Sequence, residues 1–138
     1  MRETIRVAHS PDSDDAFMFY GLASGAVRAD GLEFVHELSD IETLNQAARQ
    51  GRYEITALSV HAYAYLHDRY LLLDSGASFG DGYGPTLVVD DGSQFLRAEE
   101  LRGARIAVPG RWTSAALALS LRLPEHEPVL ADFKDVGR

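Results

Sequence analysis

Apolar and polar positions along this chain switch between a period of two and a period near three and a half. Thr4–Ala8 alternates, with Ile5 and Val7 against Thr4 and Arg6, and reads as a strand. A polar loop, His9 to Asp15, follows, and an apolar helix over Asp14–Ser24 leads to a stop at Gly25. Leu32–Glu37 reads as a second strand. Asp40 can cap a helix that runs through about Arg49, with Glu42 in its first turn and Gly51 beyond its end. Glu54–Leu58 reads as a third strand, and Ser59 opens a helix over Val60–Asp68. Short strands are predicted at Tyr70–Asp74 and Thr86–Val89.

Between those two lies Gly76 to Pro85, with four glycines and a proline in ten residues, a loop whose backbone can approach another group closely. Asp90-Asp91-Gly92-Ser93 is a turn. A short helix over Ala98–Arg102, a strand over Arg105–Val108 and a helix over Thr113–Leu121 follow. Pro124 and Pro128 interrupt the next stretch, and Phe133-Lys134-Asp135-Val136 opens a last helical segment. Strands alternating with helices predict an α/β fold with a largely parallel sheet. The pattern restarts after Asp90, so residues 1–90 read as a first lobe and 91–138 as the beginning of a second, incomplete one. A sheet ending there would leave an open edge. The expectation is the first half of something larger, with a homodimer as one way to cover that edge.

Composition narrows the function. The chain has 138 residues, 46% of them hydrophobic and 25% charged, which suits a globular domain with a real core. It has no cysteine, which excludes disulfides and thiolate metal sites. A net charge of −8 argues against nucleic acid. It leaves room for a small anionic carboxylate held by local N–H groups and an arginine. No apolar run approaches the roughly 18 residues of a membrane span. No apolar signal region precedes the first strand, so the expectation is a cytoplasmic protein without membrane attachment.

Candidate chemistry collects where strands end and helices begin. In the first junction, Asp15 can hold a ligand hydroxyl and Ser10 can donate to it, while the bland reading is capping by Ser13 or Asp14. His9 is read as a packed or hydrogen-bonded residue before a base. In the second junction, Ser59 is the natural N-cap, and its N–H with those of Val60 and His61 can face a ligand. His61 and Tyr65, four apart, read as packing. In the third, Gly110 allows close approach, and Thr113 and Ser114 supply hydroxyls at a helix start, with Arg111 adding charge; capping alone is the alternative. The Walker and dinucleotide spacings are absent, and without any HExxH pattern no metal is predicted.

The run from Ser10-Pro11 through Asp15 into Phe17-Met18-Phe19-Tyr20 resembles the first motif of the 1,4-dihydroxy-6-naphthoate synthase family of the futalosine menaquinone pathway. The resemblance continues through Asp40 to Asn45, Leu58 to Tyr63, Gly80 to Pro85 and Val108 to Ser114, in order and with matching spacing. It implies a periplasmic-binding-protein-like type II architecture. It also implies a lyase that cleaves cyclic dehypoxanthinylfutalosine to 1,4-dihydroxy-6-naphthoate and dihydroxyacetone without a cofactor. Residues in the positions of Asp15, Ser59, Thr113 and Ser114 would line its cleft. Two departures stand out. The family's Asn-Asp-Thr is here Asp14-Asp15-Ala16, and the general-base His of an Ile-His-Glu segment in the second lobe has no match. That base is expected beyond Arg138, with no catalytic residue inside the chain. A chorismate dehydratase-like sibling and a non-catalytic solute-binding protein are the competing readings.

Overall fold

A computed structural model describes residues 2–136 of the chain. The chain parts into two compact units, Met1–Phe79 and Gly80–Arg138, at a point inside the glycine-rich loop.

The first unit is built from β1 (Glu3–His9), α1 (Ser13–Ala23), β2 (Leu32–Leu38), α2 (Ile41–Arg49), β3 (Ile55–Thr56) and α3 (Val60–Tyr63). Its three strands are parallel, in the order β2-β1-β3. Parallel neighbours need crossover connections, and α1 and α2 supply them. β1 lies in the middle, so its final residues are the most enclosed: Val7 and Ala8 are fully buried. Against this strand α2 lays Leu44, Ala47 and Ala48, and with Ala8 and Tyr53 the first two of these form the core of the unit. Burying a leucine of this kind stabilises by about 1.5–3 kcal/mol. Asp40 caps α2, its carboxylate accepting from the Thr43 amide at 3.0 Å and the Thr43 hydroxyl at 2.6 Å. Burial opposes ionisation of Asp40, but the Thr43 hydroxyl and amide hold its carboxyl below the usual range. Gly51, at φ +66°, turns the chain out of α2 in a conformation that side-chain-bearing residues rarely adopt.

The second unit holds a 3-10 turn at Ala98–Leu101, β4 (Arg105–Val108), α4 (Ser114–Arg122) and β5 (Glu127–Leu130). Its two strands are parallel, and Leu101, Ile106 and Leu123 form its core. The α/β class with parallel sheets is therefore present in both units.

Several elements differ from the sequence expectation. Neither Tyr70–Asp74 nor Thr86–Val89 is a strand. Both have β-rich residues, but a strand exists only when a neighbour completes its ladder, and among the described residues neither finds one. Leu71, Leu72 and Leu73 are accordingly exposed, as are Leu87, Val88 and Val89. The strand expected at Glu54–Leu58 shrinks to Ile55–Thr56, although the Ala57 amide still bonds the Ala8 carbonyl at 2.8 Å. The helix expected over Val60–Asp68 stops at Tyr63, because the amides of Tyr65, Leu66 and Arg69 reach carbonyls three residues back and tighten the chain into turns. Ala98–Arg102 is a 3-10 turn and not an α-helix. Pro128 does not break the chain but sits inside β5, tolerated because this is an edge strand where an N–H is dispensable. Phe133–Val136 forms a turn closed on the Asp132 carbonyl. Finally, α1 is apolar on most sides, yet Asp15 is its buried residue while Phe17 and Tyr20 are exposed.

Candidate functional site

The carboxyl end of β1 places the first group. His9 and Ser10 are buried there, and the chain turns through Pro11 and Asp12 into α1. Asp12 is the N-cap residue of α1, but no side chain caps the helix. Capping by Ser13 or Asp14, the bland reading, is thus not what the structure shows. Asp15 instead folds back over the turn, and its Oδ2 accepts the Ser10 amide at 2.6 Å. The Ser10 hydroxyl oxygen accepts the Asp12 amide at 3.0 Å. Ser10 and Asp15 are therefore brought together as one buried unit, joined through the Ser10 backbone and not through its hydroxyl. Burial pushes the Asp15 carboxyl above its ordinary value; the Ser10 N–H opposes this, and Asp14 adds to it by repulsion.

The second group follows β3, the parallel neighbour of β1. Ser59 is buried at the start of α3 with no side-chain cap bond. Its partner is Asn45 on α2, which is fully buried. Asn45 grips Ser59 twice: its Nδ2 donates to Ser59 Oγ at 3.1 Å, and its Oδ1 accepts the Ser59 amide at 3.0 Å. Since Ser59 Oγ is used as an acceptor, its own hydrogen remains to be donated. Ser59 is the N-cap residue of α3, as expected, but without a side-chain cap bond. Asn45 has taken the oxygen that would have capped. His61 and Tyr65 form an edge-on ring pair at 5.8 Å, the packing contact expected of them.

The third group belongs to the second unit. Gly110 is buried, Thr113 is buried, and Ser114 is exposed. Thr113 caps α4: its Oγ1 accepts the Ala116 amide at 3.2 Å and donates to the Gly110 carbonyl at 2.9 Å. Here the capping alternative describes Thr113 well.

Two residues of the first unit escaped the sequence reading as site residues. Asn45 entered the sequence reading only as the end of the Asp40 to Asn45 stretch, although it falls on the apolar stripe beside Leu44 and Ala48. His36 was passed over inside β2. It lies beside β1 opposite Val7, on the sheet face that also carries His9. His9 Nε2 and His36 Nδ1 are 3.0 Å apart, and His9 stacks on Phe19 with ring centroids 4.4 Å apart. Burial, with His9 adding, holds the His36 imidazole below its ordinary value. The signal was available: two histidines at the carboxyl ends of adjacent predicted strands.

Among the described residues no group of three His, Cys, Asp or Glu side chains comes together to hold a metal ion, and no helix is long and apolar enough to cross a membrane.

A family model for menaquinone biosynthesis matches residues 5–136. The chain belongs to the menaquinone biosynthesis family. Among curated members, a 1,4-dihydroxy-6-naphthoate synthase from Thermus thermophilus is 45% identical over 128 residues, which span 92% of this chain and 44% of that protein. Another enzyme of that name, from Streptomyces coelicolor, is 31% identical over 127 residues, 91% of this chain and 43% of its own length. A crystal structure of a protein from Archaeoglobus fulgidus superposes with a TM-score of 0.87 at 51% identity, covering 96% of this chain and 48% of that one. The chain thus spans a little under half the length of these relatives.

Proposed function

We propose that this chain supplies the ligand-holding first lobe, and the start of a second lobe, of a periplasmic-binding-protein-like type II enzyme with 1,4-dihydroxy-6-naphthoate synthase activity. In this reading residues 1–90 form the first lobe and 91–138 open the second. The reaction cleaves cyclic dehypoxanthinylfutalosine to 1,4-dihydroxy-6-naphthoate and dihydroxyacetone in the cytoplasm, without metal or organic cofactor. Ser10, Asp15 and Ser59 would hold the sugar-derived oxygens, and Gly110, Thr113 and Ser114 a carboxylate. The general base, a His in an Ile-His-Glu segment, would come from the part of the relatives that this chain does not span.

One observation carries the reading: Asn45 holds Ser59 by both its amide and its hydroxyl oxygen, so the hydroxyl is left with its own hydrogen to donate. A serine meant only to cap a helix has no need of a buried asparagine. The two neighbouring strands β1 and β3 both end in such held polar groups, and ligands of open α/β sheets bind at the carboxyl ends of strands. The curated relatives are named 1,4-dihydroxy-6-naphthoate synthases, which supports the naphthoate as product.

The test is an assay of the full-length protein with cyclic dehypoxanthinylfutalosine, following both products. Release of 1,4-dihydroxy-6-naphthoate together with dihydroxyacetone is expected. Turnover of chorismate without turnover of the futalosine derivative would instead assign the sibling dehydratase activity, and tight binding without turnover a solute-binding role.

A further inference from the structure

Hydrogen-bond logic fixes the protons on buried His9 and half-buried His36 of the first unit. His9 Nδ1 lies 3.0 Å from the Ser10 carbonyl oxygen. A carbonyl oxygen only accepts, so Nδ1 carries the hydrogen. Neutral His9 then has a bare lone pair on Nε2, and that nitrogen faces His36 Nδ1 at 3.0 Å. His36 Nδ1 must donate. Its other nitrogen, Nε2, is left as a lone pair, and it is buried without a hydrogen-bond partner among the described residues. The chain of donors runs one way, from His36 to His9 to the Ser10 carbonyl.

That carbonyl belongs to the residue whose amide is bound by Asp15. The Ser10 peptide groups are thus held from both sides, by His9 on the carbonyl and by Asp15 on the amide. Phe19, stacked on His9 and edge-on to His36, keeps both rings in place from α1.

We propose that His36 is a positioning residue that acts through His9: by donating to His9 Nε2 it fixes the His9 tautomer, and so anchors the Ser10 carbonyl and the turn that presents Ser10 and Asp15 to the ligand. The proposal rests on the reading of Ser10 and Asp15 as ligand-holding groups, but its structural half can be tested without any ligand. His36 does not touch the substrate in this scheme. Any donor in the place of its Nδ1 serves, and asparagine offers one, since its amide nitrogen overlies that ring position.

The experiment is nitrogen-15 NMR of the imidazoles in the wild-type protein and in His36→Asn and His36→Leu. In the wild type, His9 should show a protonated Nδ1 and an unprotonated Nε2, and His36 a protonated Nδ1. His36→Asn should keep the His9 tautomer and the downfield Ser10 amide that its short bond to Asp15 produces. His36→Leu should move the His9 proton to Nε2 or mix the tautomers, and shift the Ser10 amide upfield. In the same samples, binding of 1,4-dihydroxy-6-naphthoate should weaken about tenfold in His36→Leu, the loss expected for about one hydrogen bond, and stay within about twofold in His36→Asn. A wild-type His9 protonated on Nε2 would overturn the proposal, and that spectrum decides even if His36→Leu does not fold. An unchanged His9 tautomer and Ser10 amide in His36→Leu would overturn it equally. Failure of the wild type to bind the naphthoate would count against the proposed function, while the spectra still decide the relay.

Discussion

Ser59 and Thr113 stand at equivalent places, each a buried hydroxyl residue between a strand and a helix, yet their oxygens are used differently. Thr113 spends its Oγ1 on its own helix, accepting from Ala116 and donating to Gly110. Ser59 spends nothing on α3; a fully buried asparagine from another helix holds it. The same division separates the first helix start of the chain, where Asp15 is tied to Ser10 while no side chain caps α1. A capping hydroxyl explains itself by local stability. A hydroxyl pinned by a buried partner needs another reason, and a ligand at the carboxyl ends of β1 and β3 provides one.

Breaking the Asn45–Ser59 grip should have the largest effect. Asn45→Ala removes both bonds that hold buried Ser59 and should cost about 3 kcal/mol, seen in urea denaturation. A double-mutant cycle with Ser59→Ala should return a coupling of about 1 kcal/mol or more. Next comes Thr113→Ala, which removes a cap and should cost about 1 kcal/mol, whereas Thr113→Ser should keep most of it. If Thr113→Ala instead left stability intact, the contrast between the two junctions would fail.

Asp15→Asn sharpens the comparison by its sign. The folded carboxyl titrates above its unfolded value of 3.8, chiefly through burial. Its contribution to stability is therefore full below 3.8 and is lost as pH rises through the folded value. Asparagine keeps an oxygen for the Ser10 amide without the charge. Thermal unfolding at neutral pH should thus show Asp15→Asn at or a few degrees above the wild type, while its ligand binding weakens. A lower melting temperature would make Asp15 a structural residue. The smallest effect belongs to His36. Its folded value lies below the ordinary 6.5, through burial and then through His9. The stability of the neutral form is present above 6.5 and is lost as pH falls through the folded value, with His9 and Phe19 packed against His36. Unfolding midpoints measured downward from pH 7 should decline over that range, and less so in His36→Asn.

The elements with their own periodicity and stops were legible in the sequence. β1, α2 and β4 fall where alternation, an Asp cap and a glycine stop place them, because those signals are local. Tyr70–Asp74 and Thr86–Val89 were misread because a strand depends on a partner that local pattern does not contain. Pro128 was misread as a breaker because only the sheet shows that its position is an edge. In the candidate site, Ser10, Asp15 and Ser59 were visible as hydroxyls and acids at helix starts. What holds them was not, since Asn45 and His36 act across 14 and 27 residues of chain. Such contacts are set by packing and by strand register, which appear only once the chain has folded.

The central claim is that the polar groups at the carboxyl ends of β1 and β3 are held for a ligand. Titration of nitrogen-15-labelled protein with 1,4-dihydroxy-6-naphthoate, followed by backbone amide shifts, tests it directly. Saturable shifts at Ser10, Asp15 and Ser59, with one common dissociation constant, are predicted. Saturation with those three amides unmoved would contradict the account.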